Sequence, residues 1–424
     1  MKIDLEVDLH HLTRVEGHGD VYVRIEDGKV VEARWDVVET PRYFEVMLKG
    51  RPWTQAGLLS ARICGICSIS HCLASIRATE RAFGVEVPPA AAKLRLLAKD
   101  GETLQSHYLH LLFLAAPDFL GLPSVLPLLE QKPAVVDLAR RLRGAGNRLS
   151  DVVAGRTTHP VTLKVGGLTQ PPSLPALRAV RGDLERSIAD LDALVEIFAG
   201  FAIPDFVRET EFIALRPGDV YPSIGGRLAS TDGVERAEDD YREMTNEYVD
   251  PRNTSKWARH MRESFAVGAL ARFNLNHALL LPPARALAER LGLRPVSHNP
   301  FLNNVAQLVE CVHATHESLA MIDELLRDGM AEVSVPVTPR AAEGVGAVEA
   351  PRGILYHHYR YDGDGRIAQA NCVIPTTQNN ANIHLDLSAL AAQRAAAGTT
   401  KAEMERLCSM LVRAYDPCVS CSVH

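Results

Sequence analysis

RICGICSISH (residues 62–71) and DPCVSCSVH (residues 416–424) decide how the rest of this chain is read. The first holds Cys64 and Cys67, the second Cys418 and Cys421. Each pair has CxxC spacing and is followed by a histidine, His71 or His424. Two thiols at that spacing come within reach of one metal ion. A single CxxC fits structural zinc, an iron–sulfur cluster, thiol redox chemistry or no function at all. Zinc ribbons keep both pairs in one small module, about 15–20 residues apart, whereas here nearly the whole chain lies between them. A thioredoxin-type pair needs a βαβ context, which neither segment has. The favoured expectation is four thiolates converging at the heart of a large fold. Soft sulfur ligands of this kind suit zinc, nickel or iron and do not suit magnesium.

The chain has 424 residues, 46% hydrophobic and 23% charged, ordinary values for a soluble protein with a large core. A net charge of −6 argues against a nucleic-acid or anionic-membrane surface. The longest apolar stretch, residues 109–116, is broken by His110 and is too short to span a bilayer. The first twenty residues carry acids and no continuous apolar run, so no signal peptide is expected. That leaves the compartment open if a partner carries an export signal. Eight cysteines fall short of disulfide-scaffold density, and their spacing favours metal or redox use.

Around the cysteine pairs the chain reads as mostly helical. A hairpin is expected over residues 21–25 and 30–35, turning at Asp27–Gly28. A short helix is expected over 44–49, and longer ones over 69–83, 90–116, 133–154, 174–201, 301–327 and 401–415. His107 and His110 lie at i, i+3 spacing on the second of the long helices. Strands are expected over 353–360 and 366–374, joined by DGDG. PTTQNN (375–380) reads as a loop, residues 155–173 and 216–227 as Pro/Gly-rich connections, and the charged run 239–262 as exposed surface. No internal repeat stands out, and residues 1–424 are read as one domain. The fold class is α+β, predominantly α-helical, with a long helix bundle and small antiparallel sheets.

Six motifs occur in order from residue 14 to residue 424: RVEGH, RxCGxCxxxH, an Arg-and-His–Pro segment before GG, EAPRG, PTTxN and DPCxxCxxH. Together they resemble nickel–iron hydrogenase large subunits. The ending, the length and the lack of membrane features resemble the cytoplasmic, NAD(P)-linked, sulfhydrogenase-like class. There are departures. Gln378 replaces an aromatic common in PTTWN, residues 39–46 lack the FRG-type run of membrane-bound enzymes, and HPVTLKVGG lacks a proline before GG.

The resemblance implies a bimetallic centre. Cys64 and Cys418 would be terminal nickel ligands, and Cys67 and Cys421 would bridge nickel and iron. The iron would carry carbon monoxide and cyanide, with Pro375 and Thr376 around the cyanides. On its own Arg352 is a strand-end arginine of an ordinary surface kind; by resemblance it is held above the metals, with Asp118 and Asp416 close to it. Asp118 reads equally well as a helix-end cap. Glu16, otherwise a turn glutamate, would relay protons from the Cys418 thiolate. His71 would donate a hydrogen bond to a bridging sulfur. Glu45, the backbone carbonyl of Cys372 and His424 would hold a magnesium ion, for which iron is an alternative. The thiol of Cys372 is unassigned, and Cys72, Cys311 and Cys408 read as buried thiols.

With cysteines for one thiolate centre only, and no convincing GxGxxG or flavin motif, electrons must leave to another chain. The expected partners are an iron–sulfur small subunit, flavin/iron–sulfur diaphorase subunits, dihydrogen, and the maturation protease and nickel-insertion proteins of the family. Two other readings stay open. One is a scaffold like the 49-kDa subunit of respiratory complex I, which has lost the cysteines; the other is a structural zinc protein without redox activity.

Overall fold

Sheet and helix meet most closely where helix Ser68–Phe83, which follows the first cysteine pair, lies on strand Ala342–Ala350. Two glycines permit this. A Cβ on Gly346 would sit 2.3 Å from the carbonyl oxygen of Ala74, and one on Gly344 the same distance from that of Ala78. The helix backbone therefore rests directly on the strand. Strand Ala342–Ala350 pairs with Gly353–Tyr361, which pairs with Ile367–Val373, all antiparallel. The tight turn between the first two strands carries Arg352. The contact thus sets where Cys67, at the head of the helix, stands relative to Arg352.

The computed structural model describes residues 4–424. Residues 1–3, part of the segment read as lacking an export signal, lie outside the described residues. About 51% of the chain is helical, so helix predominates over small, largely antiparallel sheets, as expected from the sequence. At the N-terminus Leu5–Leu9, Gly19–Glu26 and Lys29–Val37 form one sheet in sequential order. The expected Asp27–Gly28 turn has positive φ at both residues (52° and 74°), which suits a two-residue hairpin. Val21, Val23 and Ile25 alternate inward. Helices Pro89–Leu109, Pro133–Ala154, Leu174–Ala199 and Asn303–Asp328 pack on one another as the bundle. The expected helix over 90–116 changes pitch near its end, with wide π-type turns over His110–Ala115.

Two expectations are corrected. PTTQNN is not a loop: residues 375–380 open helix Pro375–Ala396. Pro375 stands at its first position, where the missing N–H costs nothing. The polar run looks loop-like because its partners are distant in sequence. Thr376 accepts from the Cys418 amide (2.9 Å), Gln378 donates to the Ile354 carbonyl (2.6 Å), Asn379 accepts from the Val267 amide (2.9 Å) and Asn380 from the Trp35 indole (3.0 Å). Each of these four side chains is buried and finds a partner outside the run. The charged run 239–262 is also not simply surface. Asn246–Val249 and Lys256–Arg259 form an antiparallel ribbon, and Tyr241, Met244 and Trp257 are buried. Strand Ala342–Ala350 and the short helices Ala269–Asn276 and Pro282–Arg290 have no counterpart among the expected elements.

Gly346→Ala would force the helix and strand apart. We expect it to cost about 1–3 kcal/mol as overpacking, read by chemical denaturation, and to lower the metal content of the folded fraction. Unchanged stability would contradict the backbone contact.

Candidate metal centre

Each cysteine sits at the end of a short element. Cys64 is in extended conformation after the turn Ala61–Ile63, and Cys67 caps helix Ser68–Phe83. Cys418 precedes the single helical turn Val419–Ser422, which contains Cys421. All four are buried, and their Sγ atoms lie within 4.8 Å of one another. Cys64 and Cys418 are 3.5 Å apart, and Cys67 and Cys421 3.7 Å. The amides of Ile66 and Cys67 donate to Cys64 Sγ at 3.2 and 3.3 Å. Hydrogen bonds from Cys418, Cys421 and Cys67 hold the Cys64 thiol well below its usual range, while burial and neighbouring sulfurs push Cys418 and Cys421 well above theirs. Without a cation, then, the cluster cannot carry four negative charges; bound cations would stabilise the thiolates.

Two buried polar atoms test whether a metal group fits here. Arg352 is 2% exposed; its Nη2 donates to Asp416 Oδ1 (3.0 Å) and its Nε to the Asp416 carbonyl (3.1 Å). Its Nη1 has no hydrogen-bond partner among the described residues. Burial works against its charge, but Asp416 and the sulfurs of Cys418, Cys67 and Cys64 outweigh that and raise its pKa. His71 Nε2 is likewise buried without a partner, and burial lowers the ring's pKa to about 3. Polar atoms without partners beside four thiols fit a metal group carrying its own ligands.

The remaining expected residues fall into three places. Glu16 is brought to the cluster: Cys418 Sγ donates to its Oε2 at 3.2 Å, and the Val419 amide to its carbonyl at 2.8 Å. Gly17 allows this, with φ of 84° and a position where a Cβ would lie 2.7 Å from Ser420 N. Thr376 binds the Cys418 amide, beside Pro375. Glu45, Cys372 and His424 gather at the terminus: His424 Nε2 is 3.5 Å from Glu45 Oε1, which accepts from the Cys372 amide at 2.7 Å. Asp118 makes no ion pair with Arg352, which binds Asp416 instead. The Asp118 carboxylate is held by Arg14 and by Arg413 (2.8 Å), two cations that reach it from the N-terminal segment and the last long helix.

Sequence reasoning missed several residues that position this site. Arg42 Nη2 donates to the carbonyls of Ile63 (2.7 Å) and Ser420, so one guanidinium ties both cysteine segments together. Its amide also binds the Val423 carbonyl at 2.9 Å. Ser420 donates its amide (3.1 Å) and hydroxyl to the two oxygens of Glu16. Arg272 holds the turn before Arg352 through the carbonyls of Ala350 (3.0 Å) and Pro351 (3.1 Å). Nothing local marks these side chains, because their partners are mostly carbonyls far along the chain. Removing a donor from a buried carbonyl costs about 1–3 kcal/mol. Arg42→Ala should therefore leave the fold intact, speed amide exchange at residues 421–424 and reduce nickel per chain. Full nickel retention with unchanged exchange would show that the clamp is dispensable.

Comparisons with known proteins point to one family. A family model described as nickel-dependent hydrogenase matches residues 42–141 and 235–424, and one described as HoxL-like matches residues 6–40. The chain is 32% identical over 418 residues to sulfhydrogenase 2 subunit alpha of Pyrococcus furiosus, covering 99% of this chain and 98% of that one. It is 32% identical over 463 residues to NAD-reducing hydrogenase HoxS subunit beta of Cupriavidus necator, covering 97% and 93%. Among solved structures, a chain of an NAD+-reducing [NiFe]-hydrogenase in the H2-reduced state superposes over 100% of both chains, with a TM-score of 0.88 and 30% identity. The chain therefore belongs to the nickel-dependent hydrogenase family, as its large, catalytic subunit.

Proposed function

We propose that this subunit cleaves dihydrogen heterolytically and reversibly at a nickel–iron centre whose iron carries carbon monoxide and cyanide. Electrons would pass to an iron–sulfur small subunit and on, through flavin/iron–sulfur diaphorase subunits, to NAD(P) in the cytoplasm. The observation that carries this reading is the single buried four-thiol cluster with partnerless Arg352 Nη1 and His71 Nε2 beside it. Cys72, Cys311, Cys372 and Cys408 are all buried, and no second group of three or more His, Cys, Asp or Glu side chains is gathered for a metal among the described residues. An electron path therefore needs another chain. The NAD(P) assignment rests on the Cupriavidus relative and the superposed structure. No described helix is long and apolar enough to cross a membrane.

When bound, the nickel–iron group supplies the Lewis acid and the electron acceptor for dihydrogen. The chain supplies the rest. Arg352 presents a fixed positive charge whose free Nη1 can hydrogen-bond a cyanide and stabilise charge as dihydrogen polarises. Asp416 and Arg272 keep that guanidinium in place, so no reorganisation is needed. Cys418 Sγ, 3.2 Å from Glu16 Oε2, passes a proton to that carboxylate. Ser420 holds the carboxylate through both oxygens, so geometry is ready before transfer. Glu16 is only partly buried, which puts solvent within a short further relay.

At the terminus we assign magnesium, with iron as the alternative, to Glu45, His424 and the Cys372 carbonyl. Cys372 lies on the outer strand of its sheet and turns its amide to Glu45; the carbonyl of the same residue faces the same way. Hard oxygen donors suit that ion. Glu247 and Lys256, paired at 3.3 Å, lie close enough for their charges to act on Glu45. A maturation protease and nickel-insertion proteins complete the expected partners.

Infrared spectra of the purified complex test the centre: bands of metal-bound carbon monoxide and cyanide are expected, and a nickel-loaded sample without them would remove this reading. Glu16→Gln should retain nickel yet lose about 10²–10⁴-fold in dihydrogen–deuterium exchange, the usual worth of a positioned proton acceptor. Full exchange in that variant would exclude the relay.

A further inference from the structure

We propose that His357 and Tyr359 form a hydrogen-bonded wire that fixes the tautomer of His71, making it present an N–H rather than a lone pair to the cysteine cluster. The inference rests on the nickel–iron reading of that cluster and adds two positioning residues to it. His71 Nδ1 is 3.2 Å from His357 Nε2, and His357 Nδ1 is 2.5 Å from the Tyr359 hydroxyl. Cys372 Sγ lies 3.5 Å from the same Nδ1. His357 and Tyr359 are alternate residues of strand Gly353–Tyr361 and so share one face. The helix carrying His71 packs on that strand as well as on its neighbour, and Cys372 stands opposite His357 in register.

His71, His357 and Tyr359 are almost fully buried, at 1%, 0% and 0% exposure, and among the described residues no carboxylate bonds to either ring. Cut off from water and without a counter-charge, both imidazoles stay neutral, so each carries one N–H. A single proton must then lie between His71 Nδ1 and His357 Nε2, and two arrangements satisfy the string. If His357 donates, His71 Nε2 bears a hydrogen, and Tyr359 must donate to His357 Nδ1. If His71 donates, its Nε2 is a bare lone pair, and His357 donates to Tyr359. The cluster decides between them. Cys67 lies one helical turn before His71, whose amide binds the Cys67 carbonyl at 3.1 Å, and the charge on Cys64 acts on the ring. A lone pair facing thiolates is repelled, whereas an N–H is attracted. Tyr359 is therefore the donor to His357 Nδ1. The hydrogen bond made by one ring nitrogen sets what the other can do.

The wire predicts which substitutions matter. A glutamine amide at position 357 can donate to His71 and accept from Tyr359, so His357→Gln preserves the directions of both bonds. His357→Leu removes both, and Tyr359→Phe with Cys372→Ala removes the donors to His357 Nδ1 while leaving the ring. A sulfur that loses its N–H donor gives more electron density to iron, which lowers the stretching frequencies of iron-bound carbon monoxide and cyanide. In infrared spectra of the nickel-loaded complex, His357→Gln should match the wild type, and the other two variants should shift those bands to lower wavenumber. The wire is overturned if His357→Leu or the double variant leaves the bands unmoved, or if His357→Gln shifts them as far as His357→Leu. Absence of the bands from the wild type would instead defeat the nickel–iron reading beneath it.

Discussion

Everything in this molecule depends on docking the last seven residues against the segment that carries Cys64 and Cys67. Half of the thiols belong to the chain's end, so the cluster exists only while that end is held. The hold is built from backbone partners. Val419 binds the Glu16 carbonyl, Cys418 binds Thr376, Ser255 donates to the Ser422 carbonyl, and Arg42 takes carbonyls from both sides of the cluster. Each bond is worth only about 0.5–1.5 kcal/mol net, but left unmade in a buried site each would cost more. The terminal segment is therefore part of the site's architecture and not a tail attached to it.

Charge imposes the second constraint. Four buried thiols cannot all ionise without a compensating cation, and the protein itself supplies one, Arg352, already committed to Asp416. Its single partnerless nitrogen and that of His71 are costs in the protein alone. They become sensible once a metal group with acceptor ligands is present. The same logic separates the two ends of the terminal segment: sulfur and guanidinium surround the cluster, while the Glu45 carboxylate and the His424 ring meet at the other end.

Much of this was legible in the sequence because it depends on local chemistry. CxxC spacing, a two-residue hairpin turn and 3.6-residue apolar periods declare themselves within a few residues. What was hidden depends on distant partners. The opening of helix Pro375–Ala396 is polar because Trp35, Val267, Ile354 and Cys418 satisfy it from elsewhere. Strand Ala342–Ala350 is masked by the glycines that its helix contact demands. Arg42, Arg272 and Ser420 are ordinary residues until their partners are known. Asp118 illustrates the reverse: the residue was identified, and its cations turned out to be Arg14 and Arg413.

Convergence of four cysteine sulfurs on nickel is the central claim, and X-ray absorption at the nickel edge of the purified complex tests it most directly. The account predicts nickel ligated by about four sulfur scatterers, a number that falls when Cys418 is replaced by serine. Nickel surrounded mainly by nitrogen and oxygen, or zinc in its place, would contradict it.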